Sequence, residues 1–249
     1  MNHNLYVKPG LQNGDSALSF IKGDNMKNLK KVLPILLVLI LIFVGGCAKN
    51  DGETNGFHGQ EFPMILSEDI EITQAFLYSG EFPENGSFYA KDDVFALKVV
   101  NNSSKDIQLV RIYVVTDLNE YFFEVTTLPS KKAVTVLEKN AQSISKNEKI
   151  LEIREENKIF FENGLSLSEN EFEITQLNGM FNIKNISSED ISTDVYVYFK
   201  KTDENGDYFG GITFRSNAGS LKAGEFKQIS APHFIKENSE VLLVDYAKP

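Results

Sequence analysis

The chain has almost none of the residues that build disulfide frameworks, zinc sites or histidine-dependent catalysis. Its 249 residues include one cysteine, three histidines and no tryptophan. A single cysteine excludes a disulfide-stabilised scaffold and a cysteine-rich zinc cluster within the chain. His3, His58 and His233 lie far apart, without the spacing of a metal site. A stable fold therefore depends on a hydrophobic core, which a chain of this length can bury.

The sequence also lacks the common signatures of catalysis and nucleic-acid binding. It contains no glycine-rich phosphate loop and no Ser–His–Asp arrangement of recognisable spacing. Five of the 25 basic residues and two of the 35 acidic residues precede Ala48, so the rest of the chain carries a net charge of −13. Such a surface repels phosphodiester backbones. We predict that the protein is not an enzyme, that it binds no cofactor, metal ion or nucleic acid, and that a hydrolase is the less favoured alternative.

One short hydrophobic run stands out near the N-terminus. Lys27, Lys30 and Lys31 precede the apolar segment Val32–Val44, which is interrupted only by Pro34. A membrane-spanning helix needs about 20 apolar residues, whereas the apolar part of a secretion signal has about 7–15. The length therefore favours a cleaved signal, and an uncleaved signal anchor is the alternative.

The segment ends in a motif that suggests lipid attachment. Val44-Gly45-Gly46-Cys47 resembles the lipobox of bacterial lipoproteins, in which an aliphatic residue and two small residues precede the lipidated cysteine. Val44 stands where leucine is commoner in that family. The resemblance implies that Cys47 carries a diacylglyceryl thioether, with acyl chains such as palmitate, and begins the mature chain. It also implies a lipid-anchored protein at the extracytoplasmic face of the cell membrane.

Composition divides the chain into five segments. We expect residues 1–25 to be an upstream segment outside the mature chain and residues 26–47 to be the signal peptide. Residues 48–66 are polar and rich in glycine, which is typical of a flexible tether. Residues 67–156 and 157–249 are then expected to form two folded domains.

From Asp69 onward the apolar residues alternate with a period of two, which is typical of β-strands. No convincing amphipathic helix occurs. Turn signals such as Asn163-Gly164 and Asn205-Gly206 separate the candidate strands. The candidate strands are Glu71–Tyr78, Val94–Val100, Gln108–Thr116, Tyr121–Thr127, Ala133–Glu138, Lys149–Arg154, Lys158–Phe161, Glu171–Gln176, Met180–Ile183, Asp194–Lys200, Tyr208–Arg215, Glu225–Ser230 and Glu240–Tyr246.

The strands fall into two related sets. Asn101–Ile107 matches Asn185–Ile191 at an offset of 84 residues, and a period near this value suits an immunoglobulin-like sandwich of about seven strands. The buried alternation that follows begins at Val110 in one repeat and at Val195 in the other, an offset of 85. A slip of one residue would exchange the buried and exposed faces, so we predict a bulge or a one-residue insertion in the second repeat.

The second repeat also resembles a known group of modules. The segments Asn185-Ile186-Ser187-Ser188, Asp203-Glu204-Asn205-Gly206 and Leu221-Lys222-Ala223-Gly224-Glu225 are similar to the turns of FxLYD-type immunoglobulin-like modules in secreted bacterial lipoproteins. The resemblance covers roughly residues 182–230, and more weakly residues 98–140. It implies an all-β protein with two tandem immunoglobulin-like β-sandwich domains after the signal and tether. No catalytic residues come with it.

Two features of the second repeat could bind a partner or an ion. The candidate binding face consists of Tyr196, Tyr198, Tyr208 and Phe209, with Phe214 nearby. The alternative is that these aromatic residues pack between the domains or under a loop. Asp203, Asn205 and Asp207 alternate like calcium ligands, but Phe214 occupies the twelfth position, where a glutamate is needed. We predict a hairpin turn here, with a weak cation site as the alternative. The Asn-x-Ser sequences at Asn85, Asn101, Asn102 and Asn185 are likewise interpreted as turns rather than glycan sites.

These observations lead to a functional expectation. We expect a membrane-anchored extracytoplasmic lipoprotein that acts as a non-catalytic binding or envelope-organising module. Its partners would be the membrane, through the lipid at Cys47, and an unidentified protein or envelope component. An accessory subunit of a membrane transporter or envelope machine is the alternative.

Overall fold

A computed structural model describes residues 56–247, so Cys47, the predicted signal and the first part of the predicted tether lie outside the described residues. The described part is all-β, as predicted: it consists of 13 strands and one short 3-10 helix, Lys236–Asn238. These residues belong to one compact unit. Within residues 56–247, no helix has the length and apolar character needed to cross a membrane.

The alternating sequence pattern predicted the strand positions well, since every predicted strand overlaps an observed one. The observed strands are β1 (Met64–Ile65), β2 (Ile70–Glu81), β3 (Ala90–Asn101), β4 (Ile107–Thr116), β5 (Glu120–Leu128), β6 (Ala133–Leu137), β7 (Ile150–Phe160), β8 (Phe172–Leu177), β9 (Met180–Asn185), β10 (Ile191–Thr202), β11 (Tyr208–Leu221), β12 (Phe226–Ser230) and β13 (Ser239–Tyr246).

The strands form three sheets, and the two sequence repeats use the same pairing order. Strands β2-β3-β6 pair as β8-β9-β12 do, and β5-β4-β7 pair as β11-β10-β13 do. Strands β2, β3 and β6 of the first repeat and strands β10, β11 and β13 of the second belong to one continuous seven-stranded sheet. Its strand order is β1-β2-β3-β6-β11-β10-β13. The joint is a short parallel ladder in which Tyr208 lies opposite Val134 and Phe209 opposite Thr135. All other ladders described in these sheets are antiparallel.

Two main hydrophobic clusters stabilise these sheets. The first is built mainly from the first repeat and includes Phe95, Leu97 and Phe123, all fully buried. The second is built from the second repeat and includes Phe181 and Phe199. Burying one such side chain contributes about 1.5–3 kcal/mol relative to leaving it exposed. The sheets thus form a sandwich-like arrangement that fits an immunoglobulin-like fold.

An asparagine ends β3, and another ends β9, at equivalent places. Asn101 and Asn185 are both fully buried. The amide of Asn101 donates to the carbonyl oxygen of Leu128 (3.0 Å), and that of Asn185 donates to the carbonyl oxygen of Leu221 (3.1 Å). Each side-chain oxygen accepts from the backbone and hydroxyl of the serine two residues later. These interactions confirm the turn interpretation of both sequences.

The predicted irregularity in the second repeat is also confirmed. The β10–β11 ladder changes register between Ile191 and Val195, which are both buried. The equivalent buried residues of β4, Ile107 and Val110, are one residue closer together, and their ladder with β5 is regular. The extra residue therefore keeps the apolar side chains of β10 on the core side.

The boundary predicted between residues 156 and 157 falls inside a single strand. Lys149–Arg154 and Lys158–Phe161 were expected to be separate strands, but β7 runs from Ile150 to Phe160. The register of its pairing with β4 shifts near Asn157, a residue whose φ is 52°. The polar run that suggested a connection is thus an irregularity in an edge strand, where charged side chains remain solvated.

Part of the predicted tether folds onto the first repeat. Phe62 is 4% exposed and packs in the first cluster, and the ring of Phe57 stacks on Phe95 at 5.5 Å. The Nδ1 atom of His58 lies 2.6 Å from the carbonyl oxygen of Glu148. The apolar side chains in an otherwise polar stretch explain this packing, because burial removes them from water.

Candidate functional site

The predicted aromatic face divides into separate environments. Tyr196 and Tyr198 are partly exposed on β10, with their ring centroids 6.2 Å apart. The guanidinium carbon of Arg215 lies 4.8 Å from the ring centroid of Tyr196. These two tyrosines therefore form a small surface pair that is covered in part by a cation.

Tyr208 and Phe209 do not extend that pair into one surface. Tyr208 is 1% exposed, packs in the first cluster and donates its hydroxyl to Glu240 (2.9 Å). Phe209 lies 5.3 Å from Tyr78, between ring centroids. Neighbouring residues of a strand point to opposite faces, so Tyr208 and Phe209 cannot share one. The grouping of Tyr196, Tyr198, Tyr208 and Phe209 as one exposed face is thus corrected.

Phe214 and His233 belong to an aromatic stack beneath the β2–β3 connection. The ring of Phe88, in that connection, lies 5.4 Å from Phe214 and 4.6 Å from His233. Phe214 in turn stacks on Phe199 of the second cluster at 5.5 Å. The β2–β3 connection of the first repeat therefore packs directly on the second repeat, in agreement with the alternative that aromatic residues pack under a loop.

Two buried charged side chains fix the place where β6 meets β11. One carboxylate oxygen of Glu84 accepts the backbone N–H groups of Gly211 (2.7 Å) and Leu137 (3.1 Å). The ammonium of Lys200 donates to the carbonyl oxygens of Gly211 and of the residue after it (2.8 Å each), and to that of Thr126 (3.0 Å). Glu84 and Lys200 are 3% and 0% exposed. Both backbone polar groups of Gly211, its N–H and its carbonyl oxygen, are thus hydrogen-bonded to buried side chains.

Burial shifts the pKa values of both Glu84 and Lys200. It raises the pKa of Glu84, although hydrogen bonds from Gly211 and Leu137 and the charge of Lys200 act in the opposite direction. It lowers the pKa of Lys200 to about 7, although the charge of Glu84 opposes this change. Leaving a buried backbone group without its hydrogen-bond partner typically costs about 1–3 kcal/mol. Loss of either side chain would therefore destabilise this junction.

A groove of about 810 Å³ lies beside this junction, within the size range of ligand pockets. Strands β2, β6, β10 and β11 contribute to it, together with the turn after β10 and the 3-10 helix. Its aromatic lining consists of Phe76, Tyr78 and Phe209. Its carboxylate lining consists of Glu81, Asp203, Glu204 and Glu237. The groove thus combines apolar ring surface with negative charge.

Only part of that charge is neutralised. The ammonium of Lys201 lies 2.5 Å from a carboxylate oxygen of Glu81. In the turn after β10, the Asp203 carboxylate accepts the N–H groups of Asn205 (2.8 Å) and Asp207 (3.0 Å). Within the part of the chain that the structure describes, the lining residues Glu204 and Glu237 form no ion pair.

The turn itself has the geometry of a hairpin. The Asp203 carboxylate faces backbone N–H groups, whereas the Asp207 carboxylate pairs with Lys98 at 2.6 Å. These two carboxylates therefore have separate partners and do not converge on a common point. Among residues 56–247, no group of three or more His, Cys, Asp or Glu side chains is arranged to hold a metal ion.

Sequence reasoning identified one aromatic residue of this groove, Phe209, but missed Phe76, Tyr78 and Glu81. These three lie on β2, far from Phe209 in sequence, and the β6–β11 ladder brings them together. Phe76 and Tyr78 are two residues apart on β2, so the sequence did indicate that both rings lie on one face of that strand. The sequence pattern contains no information about which strand of the other repeat would lie beside it.

No family model, curated protein or solved structure matches this chain.

Proposed function

We propose that this protein is a lipid-anchored, extracytoplasmic binding or envelope-organising module built from tandem immunoglobulin-like sandwiches. The lysine-flanked apolar segment and the lipobox-like Val44-Gly45-Gly46-Cys47 support the anchor. With two acyl chains on the glycerol that is thioether-linked to the cysteine, attachment to a bilayer is stable, whereas one chain binds only marginally. The acidic β-rich body would then be held beside the membrane as the part that meets a partner.

The groove beside the sheet junction is the observation that carries the binding role. Its lining comes mostly from strands, and the neighbouring Gly211 peptide is held by Glu84 and Lys200. A site built on such rigid elements loses little conformational entropy when a partner binds. Because both repeats contribute lining residues, the groove requires both of them to be folded and joined.

The environment of the groove carboxylates supports recognition rather than catalysis. Glu81 is paired with Lys201, and Asp203 accepts hydrogen bonds from the backbone of its own turn. Glu204 and Glu237 are exposed. The two exposed carboxylates can therefore contact a partner directly.

The anchor is tested by mass spectrometry of the mature chain and by fractionation of cells. We expect a mature chain that begins at Cys47, carries a diacylglyceryl group and stays with the membrane. The Cys47→Ala variant should lose membrane retention while its β-rich circular dichroism spectrum is unchanged. An unmodified thiol on a full-length product would contradict the proposal. Crosslinking on intact cells followed by pull-down then identifies the partner, and recovery in a stoichiometric membrane complex would favour an accessory subunit.

A further inference from the structure

We infer that the groove beside the sheet junction binds a basic, extended peptide segment of another protein. This inference rests on the proposed binding function and gives the chemistry of its partner. It depends on the charge, the ring surfaces and the shape of the groove.

The charge of the groove lining favours a cation. Among the described residues that line the groove, four carry carboxylates and Lys201 is the one basic residue. Glu204 lies in the turn after β10 and Glu237 in the 3-10 helix. Because both residues line the groove, a partner bound there would contact both carboxylates. Charge complementarity of this kind steers association and excludes acidic competitors.

The molecule already binds one of its own ammonium groups in the way that we infer for the partner. The Nζ atom of Lys201 lies 2.5 Å from a carboxylate oxygen of Glu81 and 4.3 Å from the ring centroid of Phe88. A cation over an aromatic face gains about 0.5–2 kcal/mol, depending on how far it is desolvated. The rest of the groove offers the same two kinds of group in larger number.

The aromatic lining provides the apolar part of the site. The rings of Tyr78 and Phe209 are tilted by 50° with centroids 5.3 Å apart, and both side chains are partly exposed. Phe76 lies two residues before Tyr78 and lines the same groove. Lysine and arginine have apolar stems and a charged end, so their stems can lie on these rings while their charges reach the carboxylates.

The shape of the groove favours an extended segment over a compact ligand. Its lining runs from β2, across β6 and β11, to β10 and the 3-10 helix, so it crosses several strands. A peptide lying across them would present side chains alternately toward the groove and away from it. A basic residue at every second position would therefore place several cations along the lining.

The test uses the full chain purified in detergent and fluorescence anisotropy with a labelled peptide of alternating lysine and alanine. We expect the wild type to bind this probe, with an affinity that falls as salt is added. A Glu204→Gln/Glu237→Gln variant should bind about tenfold more weakly, because two rim charges are lost. Glu68→Gln/Glu173→Gln is the matched control: it removes two exposed carboxylates that do not line the groove, and it should bind like the wild type.

A second variant tests the ring surfaces independently of charge. Phe76→Leu keeps an apolar side chain but removes the aromatic face, and we expect it to weaken binding several-fold. Equal affinities for the groove and control variants, or preferential binding of an alternating glutamate–alanine peptide or of a neutral oligosaccharide, would overturn the inference. Because the assay needs no membrane, its failure is distinct from failure of the lipid anchor, which mass spectrometry of Cys47 measures separately.

Discussion

Gly211 is the residue at which the packing of the sheet junction leaves the least room. A Cβ atom placed there would lie 2.0 Å from the carbonyl oxygen of Glu124 and 2.9 Å from a methyl carbon of Val136. The same peptide is held by Glu84 at its N–H and by Lys200 at its carbonyl oxygen. The backbone of β5 can approach β11 this closely because glycine has no side chain.

Gly211→Ala should therefore destabilise the protein. Relief of the contact with the Glu124 carbonyl requires movement of backbone, and overpacking of this kind costs about 1–3 kcal/mol or more. Urea denaturation followed by circular dichroism measures the change. Gly56→Ala is the control, since no atom of the described residues lies within 4 Å of its added Cβ. Equal midpoints for the two variants would contradict the close approach of β5 to β11.

Lys200 should give the stability a measurable pH dependence. Its pKa is about 7 in the folded protein, against about 10.4 in an unfolded chain. Between these values the unfolded chain binds a proton that the folded protein does not, so the free energy of unfolding rises with pH. We expect this contribution above pH 7 in the wild type and its loss in Lys200→Met. The exposed Lys222→Met variant should keep the wild-type slope, and equal slopes in both variants would refute the prediction.

Among the structural elements, the asparagine turns that end β3 and β9 show how closely the two repeats correspond. Both amides are fully buried and hydrogen-bond to the strand that follows β4 or β10. Loss of either amide leaves buried backbone carbonyl groups without a donor. The turns are thus a shared structural requirement of the repeats.

Asn101→Ala and Asn185→Ala should each lower the free energy of unfolding by about 1–3 kcal/mol, because buried acceptors lose their partners. Thermal denaturation gives the comparison. Asn85→Ala is the control: its side chain also accepts from a serine two residues later, but it lies at an exposed turn. We expect that variant to change stability by less than about 0.5 kcal/mol. A similar effect at all three positions would contradict a specific role for the buried amides.

The sequence specifies the elements better than their assembly. Alternating apolar residues predicted the strands and the one-residue irregularity after Ile191, because a strand buried on one face has an apolar residue at every second position. The β6–β11 ladder could not be predicted, because the pairing of Tyr208 with Val134 leaves no local pattern. The groove depends on that ladder, so Phe76 and Tyr78 were missed as its lining. A polar run at an edge strand, around Asn157, likewise resembles a turn.

At the scale of the described residues 56–247, the two repeats share one seven-stranded sheet. The Glu84 and Lys200 interactions and the Phe88 stack cross the same junction. Loss of one repeat would therefore expose apolar and charged groups of the other. The repeats should behave as one cooperative body.

We predict a single calorimetric unfolding transition, with calorimetric and van't Hoff enthalpies in a ratio near one. Differential scanning calorimetry of the full chain measures that ratio. Two separable transitions, or a ratio well above one, would indicate that the repeats unfold independently and that the junction contributes little.

The same junction connects the architecture with the proposed function. A lipid at Cys47 would hold the molecule at the membrane, and the groove would bind a basic partner segment there. The most direct measurement places a photo-crosslinking amino acid at position 204 or at position 173 and irradiates intact cells. We predict one discrete protein adduct from position 204, none from position 173, and loss of the adduct in Cys47→Ala. No adduct from position 204, or the same adduct from both positions, would contradict a binding site in the groove.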